Sequence, residues 1–393
     1  MSTPGLAERF RVLKHSVTVE MGERVREARA AGRDVIAMSS GDPNVPTDPR
    51  IIDAAERAMR SGSTHYGSAG GERSFREGIA RREQKRSGAI YDVEDILVTT
   101  GGKFAVLTAL MGIIGPGDEV LIPQPSWVSF GPCVRLAGGV VVPVDMLDKF
   151  DLDALERAVT SSTRAVIVNS PVNPSGRVLS VSEVAGLVEF AETHNLWIIF
   201  DQVYADLVHE GPMPYPQGSA RGFERTLVVD SFSKSFGMTG WRLGYLAMPP
   251  GLARFLVKFL QHSTYCVPPF IQAAGMQALE LADELHPVYR ALFRARLERM
   301  HKVLAAIDGI ECAMPAAGFF LFPRVGGDDV ELARRWLDEL NISVLPGSAF
   351  GDVGRGYLRL SLTCQDDEMT LALERIARAG VAGGPTPITG SRS

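Results

Sequence analysis

From residue 96 to residue 248 the chain alternates short apolar runs with longer amphipathic stretches. The runs are Ile96–Thr99, Glu119–Ile122, Val140–Val144, Ala165–Asn169, Trp197–Asp201, Thr226–Val229 and Leu243–Met248. Several are rich in β-branched residues, as strands buried on both faces are. Helix-length stretches such as Ser180–His194 separate most of them. Alternating strands and helices predict a mostly parallel sheet with helices on both faces. Upstream, residues 17–32 carry helical spacing with Glu and Arg on the outer face. Asp34–Met38 reads as a short strand that Ser39-Ser40-Gly41-Asp42-Pro43 ends. Downstream, Ala282–Ile307 reads as one long helix, interrupted early by Pro287. It leads towards a second set of strands near Ile310–Met314, Phe319–Pro323, Ser343–Leu345 and Tyr357–Leu362. The expected architecture is α/β: a three-layer sandwich around a mostly parallel central sheet, plus a smaller α+β domain. Residues 1–47 are expected to form an N-terminal arm and part of the small domain, 48–285 the large domain and 286–381 the small C-terminal domain. The Gly- and Pro-rich tail, 382–393, is expected to be disordered.

At 393 residues the chain can bury a large core. With 45% hydrophobic residues, 22% charged residues and a net charge of −5, it shows no feature that calls for nucleic acid or an anionic membrane as partner. Cys133, Cys266, Cys312 and Cys364 are widely spaced, with no CxxC pair and no metal-ligand spacing, so they read as reduced thiols and no metal is expected. Met1–Arg11 lacks the apolar run of a signal peptide, and Ala105–Ile114, the longest apolar stretch, is too short to span a bilayer. The expectation is a soluble, cytoplasmic protein.

The chemistry concentrates in Ser231-Phe232-Ser233-Lys234 and Gly240-Trp241-Arg242, which place a hydroxyl, an amine and a guanidinium in an otherwise uncharged segment. A lysine without nearby carboxylates is easily desolvated, which lowers its pKa towards that of a nucleophile able to form a Schiff base. Serine and arginine beside it can hold a phosphate; solvated surface cations are the plain alternative. Thr99-Thr100-Gly101-Gly102-Lys103-Phe104-Ala105 follows a strand and opens a helix, which suits an anion or an ordinary βα turn equally. No G-x-G-x-x-G follows any candidate strand, which weakens a Rossmann reading. Asp201, in Phe200-Asp201-Gln202-Val203-Tyr204, closes an apolar strand and needs a cationic partner: a protonated heteroaromatic nitrogen or a structural Lys or Arg. Asn173 is held between Pro171 and Pro174, where it either faces a ligand or caps its own turn. Trp127 can stack on a planar ring or simply pack. Arg359, alternating out of Tyr357-Leu358-Arg359-Leu360-Ser361, can fork onto a carboxylate or lie at a sheet edge.

Taken in order, the glycine-rich turn, Trp127, the Asn-Pro turn, the strand-end Asp201, Ser231-x-x-Lys234, Arg242 and Arg359 form one series. Over residues 15–380 the chain resembles the fold-type I pyridoxal-phosphate enzymes, and among them the class I/II, aspartate-aminotransferase-like aminotransferases. The resemblance implies that Lys234 is the Schiff-base lysine and proton carrier and that Asp201 pairs with the pyridine nitrogen. It implies that Asn173 and Tyr204 bond the ring hydroxyl oxygen and that Trp127 stacks on the ring. Gly102 and Lys103 (through their backbone), Ser231 and Arg242 would form the phosphate cup, within a pyridoxal-phosphate-binding large domain. Tyr66, in Thr64-His65-Tyr66-Gly67, resembles the tyrosine that reaches the neighbouring subunit's phosphate, which implies a homodimer with shared active sites. Arg359, with Gly41 close by, resembles the clamp on the substrate α-carboxylate. The implied reaction moves the amino group of an L-α-amino acid to a 2-oxo acid.

Three departures bear on the substrate. The usual Asp-Glu before the tyrosine is Asp201-Gln202, and the usual Asn-Asn-Pro-Thr-Gly turn is Val172-Asn173-Pro174-Ser175-Gly176. Residues 262–267 contain no arginine where some relatives carry one for a second carboxylate. Lys103 and Thr18 match residues that handle distal acids in one subgroup, while His262, Tyr265 and Phe350 would suit an aromatic or polar side chain. The scaffold also hosts β-lyases, decarboxylases and oxidative deaminases; the lysine, the aspartate and both arginines together favour transamination. With an N-terminal arm of about 40 residues, no DNA-binding domain of the kind a fused regulator of this family needs is expected.

Overall fold

The computed structural model describes residues 15–381, together with Gly5 and Leu13. The tail expected to be disordered lies outside the described residues. A seven-stranded sheet forms from β2 (Ile96–Thr99), β3 (Glu119–Gln124), β4 (Val140–Asp145), β5 (Thr163–Asn169), β6 (Trp197–Asp201), β7 (Thr226–Ser231) and β8 (Gly244–Ala247). Its order is β2-β8-β7-β6-β5-β3-β4, with β8 alone antiparallel to its neighbours. The mostly parallel α/β sheet expected from the sequence is present.

Burial explains why these runs are strands. Every residue of β2, β7 and β8 is buried, while the edge strand β4 is largely exposed or half-buried. Alternate residues feed opposite layers: Ile96, Val98, Val228 and Tyr245 enter one apolar cluster, and Leu97, Leu227, Val229 and Leu246 enter the other. A sheet covered on both faces has no use for a polar face, so its strands read as unbroken apolar runs. The helix Val181–Thr193 begins with a capping box between Ser180 and Glu183, where each side chain satisfies the other's backbone N–H.

The remaining strands are short. β1 (Ile36–Ala37) pairs in parallel with β10 (Ile342–Ser343). β11 (Leu345–Pro346), β12 (Leu358–Ser361) and β9 (Phe320–Leu321) form an antiparallel sheet. Ile36 and Met38 pack in one cluster with Leu297, Leu321, Leu358 and Ile376, so residues before the large sheet join those after it.

Two expectations need correction. The helix Ala282–Leu304 runs through Pro287 without interruption. Near a helix start, proline forfeits only a bond to the first turn and its ring meets little preceding helix. Ile310–Met314 forms no strand; only Glu311 bridges to Arg324. Its residues are exposed or half-buried, and only Ile310 and Cys312 reach the neighbouring apolar cluster, too few to hold a ladder. The run Ser343–Leu345 divides at Val344 between β10 and β11, which pair with different neighbours.

The parallel strands deliver their carboxyl ends to one side of the sheet. Asn169 is opposite Asp201 in register, and Ser231 is opposite Gly244, which also faces Thr99. Gly244 is where β8 passes against the turn after β2: a Cβ there would sit 2.8 Å from Gly102 N and from the Asp230 carbonyl. Gly244→Ala should therefore force the Gly101–Gly102 turn away from β7. We expect a loss of about 1–3 kcal/mol, the usual size of an overpacking penalty, read as a lower denaturant midpoint at unchanged slope; an unaltered midpoint would contradict this packing.

Candidate active site

A cavity of about 320 Å³ opens outside the carboxyl ends of β5, β6 and β7, where ligands of open α/β sheets bind. Gly41, Gly102, Lys103, Trp127, Asn173, Asp201, Tyr204, Ser231, Lys234, Arg242 and Arg359 all line it. Of the residues expected to hold the cofactor or the α-carboxylate, all are therefore brought together except Tyr66. That side chain is 86% exposed, away from the cavity, with its ring against Tyr265 at 5.0 Å. Thr18 also lines the cavity, whereas His262 and Tyr265 do not.

Lys234 sits in the short helix Phe232–Ser235 that follows β7. Its Nζ donates to the Gly41 carbonyl at 2.7 Å and pairs with no carboxylate among the described residues. Burial pulls its pKa down to about 8; Asp42 opposes this, and Arg359 and Arg242 reinforce it. Asp201 is buried at the end of β6, and its Oδ1 accepts only the Val203 N–H, at 3.2 Å. Burial, with Asp230 adding to it, pushes its carboxyl up to about 7. No cationic side chain pairs with it among the described residues.

Arg359, 3% exposed, lies between the rings of Phe320 and Phe350, at 4.7 and 5.1 Å from their centroids. Phe350 is thus a platform for the arginine. Nη1 donates to Asn173 Oδ1 at 3.3 Å and Nη2 to the Ser39 carbonyl at 2.5 Å, while Nε is buried without a partner. Burial lowers its pKa to about 10, which leaves it protonated at neutral pH. Asn173 Nδ2 reaches the Tyr204 hydroxyl at 3.4 Å.

The other end of the cavity suits an anion. Gly101 takes a φ of 89° just before the helix Gly102–Ile113, whose first N–H groups have no partner within the helix. A Cβ at Gly101 would overlap the Arg242 guanidinium. Arg242 itself takes a φ of 55°, rare for a residue with a side chain, and donates to the Thr239 and Thr100 carbonyls at 2.8 and 3.3 Å. Ser231 and Ser233 share the same wall. Lys103 Nζ stands 5.3 Å from the Trp127 ring centroid.

Six lining residues are not among those expected from the sequence: Ser40, Asp42, Asn169, Val203, Ser233 and Thr239. Asn169 braces the site by donating to the Asp201 carbonyl at 2.9 Å and accepting the Asn173 N–H at 2.8 Å. Its place at the end of a predicted strand, level with Asp201, was a usable signal. Thr239 donates to Asp42 at 3.2 Å, a pairing that no spacing announces.

A phosphate-bearing heteroaromatic aldehyde fits this donor set. It answers the orphaned Asp201 with a ring cation, the helix N-terminus with a phosphate and Lys234 with a carbonyl carbon. The unpartnered Nε of Arg359 then remains for a carboxylate.

Comparison with known proteins bears on the family to which the chain belongs. The model of the family described as "Aminotransferase class I and II" matches residues 33–376. The chain is 34% identical to an aspartate aminotransferase of Thermotoga maritima over 94% of its own length and 98% of the relative's. It is 33% identical to an aspartate/prephenate aminotransferase of Thermus thermophilus, covering 95% and 98% of the two chains. Among solved structures, a Thermus thermophilus aspartate aminotransferase with maleate superposes with a TM-score of 0.91 at 32% identity, covering 96% of this chain and 100% of that one. The chain belongs to the class I and II aminotransferases, pyridoxal-phosphate-dependent transferases of fold-type I.

Proposed function

We propose that this aminotransferase moves the amino group of a dicarboxylic L-α-amino acid to a 2-oxo acid, with Lys234 carrying the proton. The observation that carries this reading is a set of three ionisable groups around one cavity, buried Asp201 and Arg359 and half-buried Lys234, none of them paired with an opposite charge among the described residues. Bound pyridoxal phosphate supplies an aldehyde carbon for amine attachment and a ring that withdraws electrons. Gly102, Lys103, Ser231 and Arg242 would hold its phosphate, Asp201 its ring nitrogen, Asn173 and Tyr204 its ring oxygen, and Trp127 one ring face. Arg359, backed by Gly41, grips the substrate α-carboxylate and thereby sets which bond at the α-carbon is aligned for cleavage. Lys234 Nζ, once neutral, takes the α-proton and later returns it.

Lys103 and Thr18 on the cavity wall support a distal carboxylate as the specificity element, as does the binding of maleate, a dicarboxylate, by the similar Thermus protein. Tyr66, exposed beside Tyr265 and outside this cavity, fits a residue that serves a second subunit, which makes the active unit a homodimer. The division near residues 47 and 285 into arm, large domain and small domain belongs to the same reading. So does a cytoplasmic location, which the four unpaired cysteines suit.

Three outcomes test it. With 2-oxoglutarate as acceptor, an amino-acid panel should yield glutamate fastest from aspartate; release of ammonia, carbon dioxide or peroxide instead would sink transamination. Lys103→Ala should lower kcat/KM for aspartate by about 10–100-fold, the size of one charge-assisted hydrogen bond, and for alanine far less. Equal losses on both would place Lys103 outside specificity. The third outcome concerns pH. Attachment of pyridoxal phosphate to the cofactor-free chain needs the neutral amine, so its rate should rise with pH to a plateau, with a midpoint near 8. Because the Asp42 charge opposes that lowered pKa, Asp42→Asn should move the midpoint to lower pH. An unmoved or raised midpoint would contradict the electrostatic assignment.

A further inference from the structure

Behind the strand ends lies a sealed group of charged side chains that the chemistry above does not use. Glu83, on the helix Arg73–Ser87, is 0% exposed. Its Oε1 is 2.6 Å from the Tyr245 hydroxyl and accepts from Gln202 Nε2 at 2.8 Å. The same hydroxyl is 3.0 Å from Asp230 Oδ2. Arg86 lies 2.5 Å from Asp230 and 2.5 Å from Asp206, yet 3.5 Å from Glu83. Arg82 pairs with Asp206.

A tyrosine hydroxyl has one hydrogen, and here two carboxyl oxygens lie within reach of it. It can donate to one of them only, so the other close contact requires a hydrogen from a carboxyl group. Charge counting points to which one. The two arginines balance Asp206 and Asp230, their nearest carboxylates. An ionised Glu83, fully buried, would leave an unbalanced anion away from solvent, which is costly. His286, 3.4 Å from Asp206, does not make up the difference, since burial lowers its pKa to about 4. Burial raises the pKa of Glu83, as it does those of Tyr91 and Tyr215, whose titration Glu83 also influences.

We propose that Glu83 is a neutral acid that donates through Tyr245 to Asp230, and that with Gln202 it forms an acid–amide pair positioning Asp201 and Ser231. Gln202 follows Asp201 directly, so its anchored amide fixes how β6 ends. Asp230 precedes Ser231 and accepts that residue's N–H on Oδ1 at 2.6 Å, which fixes the end of β7. This also accounts for the departure at residue 202. A glutamate there would set a second carboxyl against Glu83, so this chain keeps the acid on the helix and the amide on the strand.

The test uses the full-length holoenzyme and three variants. The infrared spectrum of the wild type at neutral pH should contain a protonated-carboxyl C=O band that Glu83→Gln removes; no such difference would overturn the proposal. A carboxyl protonated when folded and ionised when unfolded loses its stabilising contribution as pH rises above the ordinary glutamate range, about 4.3. The denaturant midpoint of Glu83→Gln should therefore climb relative to wild type between pH 5 and 8. A relative fall would mean that Glu83 is ionised and paired. Finally, Gln202→Glu should weaken pyridoxal-phosphate binding by about tenfold, and adding Glu83→Gln should restore it; wild-type affinity in the single variant, or no rescue in the double, would overturn the positioning role. This last arm rests on the reading of Asp201 given above, whereas the infrared and pH arms concern Glu83 alone, so the two failures are distinguishable.

Discussion

Burying an ionisable group without an opposite charge beside it costs several kcal/mol, and around one cavity this chain does so with Asp201 and Arg359 and half-buries Lys234 as well. Simple packing would remove such groups or pair them off. Here the backbone keeps them apart. Asp201 sits at the floor on β6, Lys234 on the turn after β7, and Arg359 on β12 between two phenyl rings. Their only close partners are neutral: a carbonyl for the amine, an N–H for the carboxyl, and an amide and a carbonyl for the guanidinium. The site is thus preorganised for a ligand with a cation, a carbonyl and a carboxylate in fixed relative positions.

That separation depends on a short connecting segment. Met38 accepts the Ser361 N–H, the Ser39 carbonyl accepts Arg359, and the Gly41 carbonyl accepts Lys234. A few residues on, Thr47 ties the strap to Gly237 and Trp241. Residues 38–47 therefore bridge the strand that bears the guanidinium and the turn that bears the amine. The strap thus ties the position of Arg359 to that of Lys234 through two carbonyls, those of Ser39 and Gly41. Behind the sheet, the Glu83 network holds β6 and β7 from the opposite side, so the ends that carry Asp201 and Ser231 are fixed from both directions.

Much of this was legible in the chain because buried parallel strands announce themselves. β2 and β6 coincide with the predicted runs, and the residues at their ends could be read as ligand-facing. The short strands were harder to place, since two-residue ladders such as β1 and β10 owe their existence to partners more than 300 residues away. Ile310–Met314 is apolar enough for a strand, yet only Ile310 and Cys312 reach the apolar cluster beside it. Asp42, Ser233 and Thr239 sit in loops of ordinary composition and matter only because tertiary contacts bring them to the wall. Gln202 was visible as a departure without a reason; the reason is Glu83, more than 100 residues earlier on a helix. Tyr66 is the instructive remainder: its motif was legible, but its place is on the surface, where one subunit alone gives it no task.

The central claim, that this cavity is built to attach an aldehyde cofactor at one unpaired amine, has a direct chemical test. The protein would be incubated with pyridoxal phosphate at neutral pH, reduced with borohydride to make the link permanent, digested and mapped by mass spectrometry. The account predicts near-stoichiometric label on Lys234 and little on the exposed Lys85 or Lys149. Label spread over surface lysines with Lys234 unmodified would contradict it.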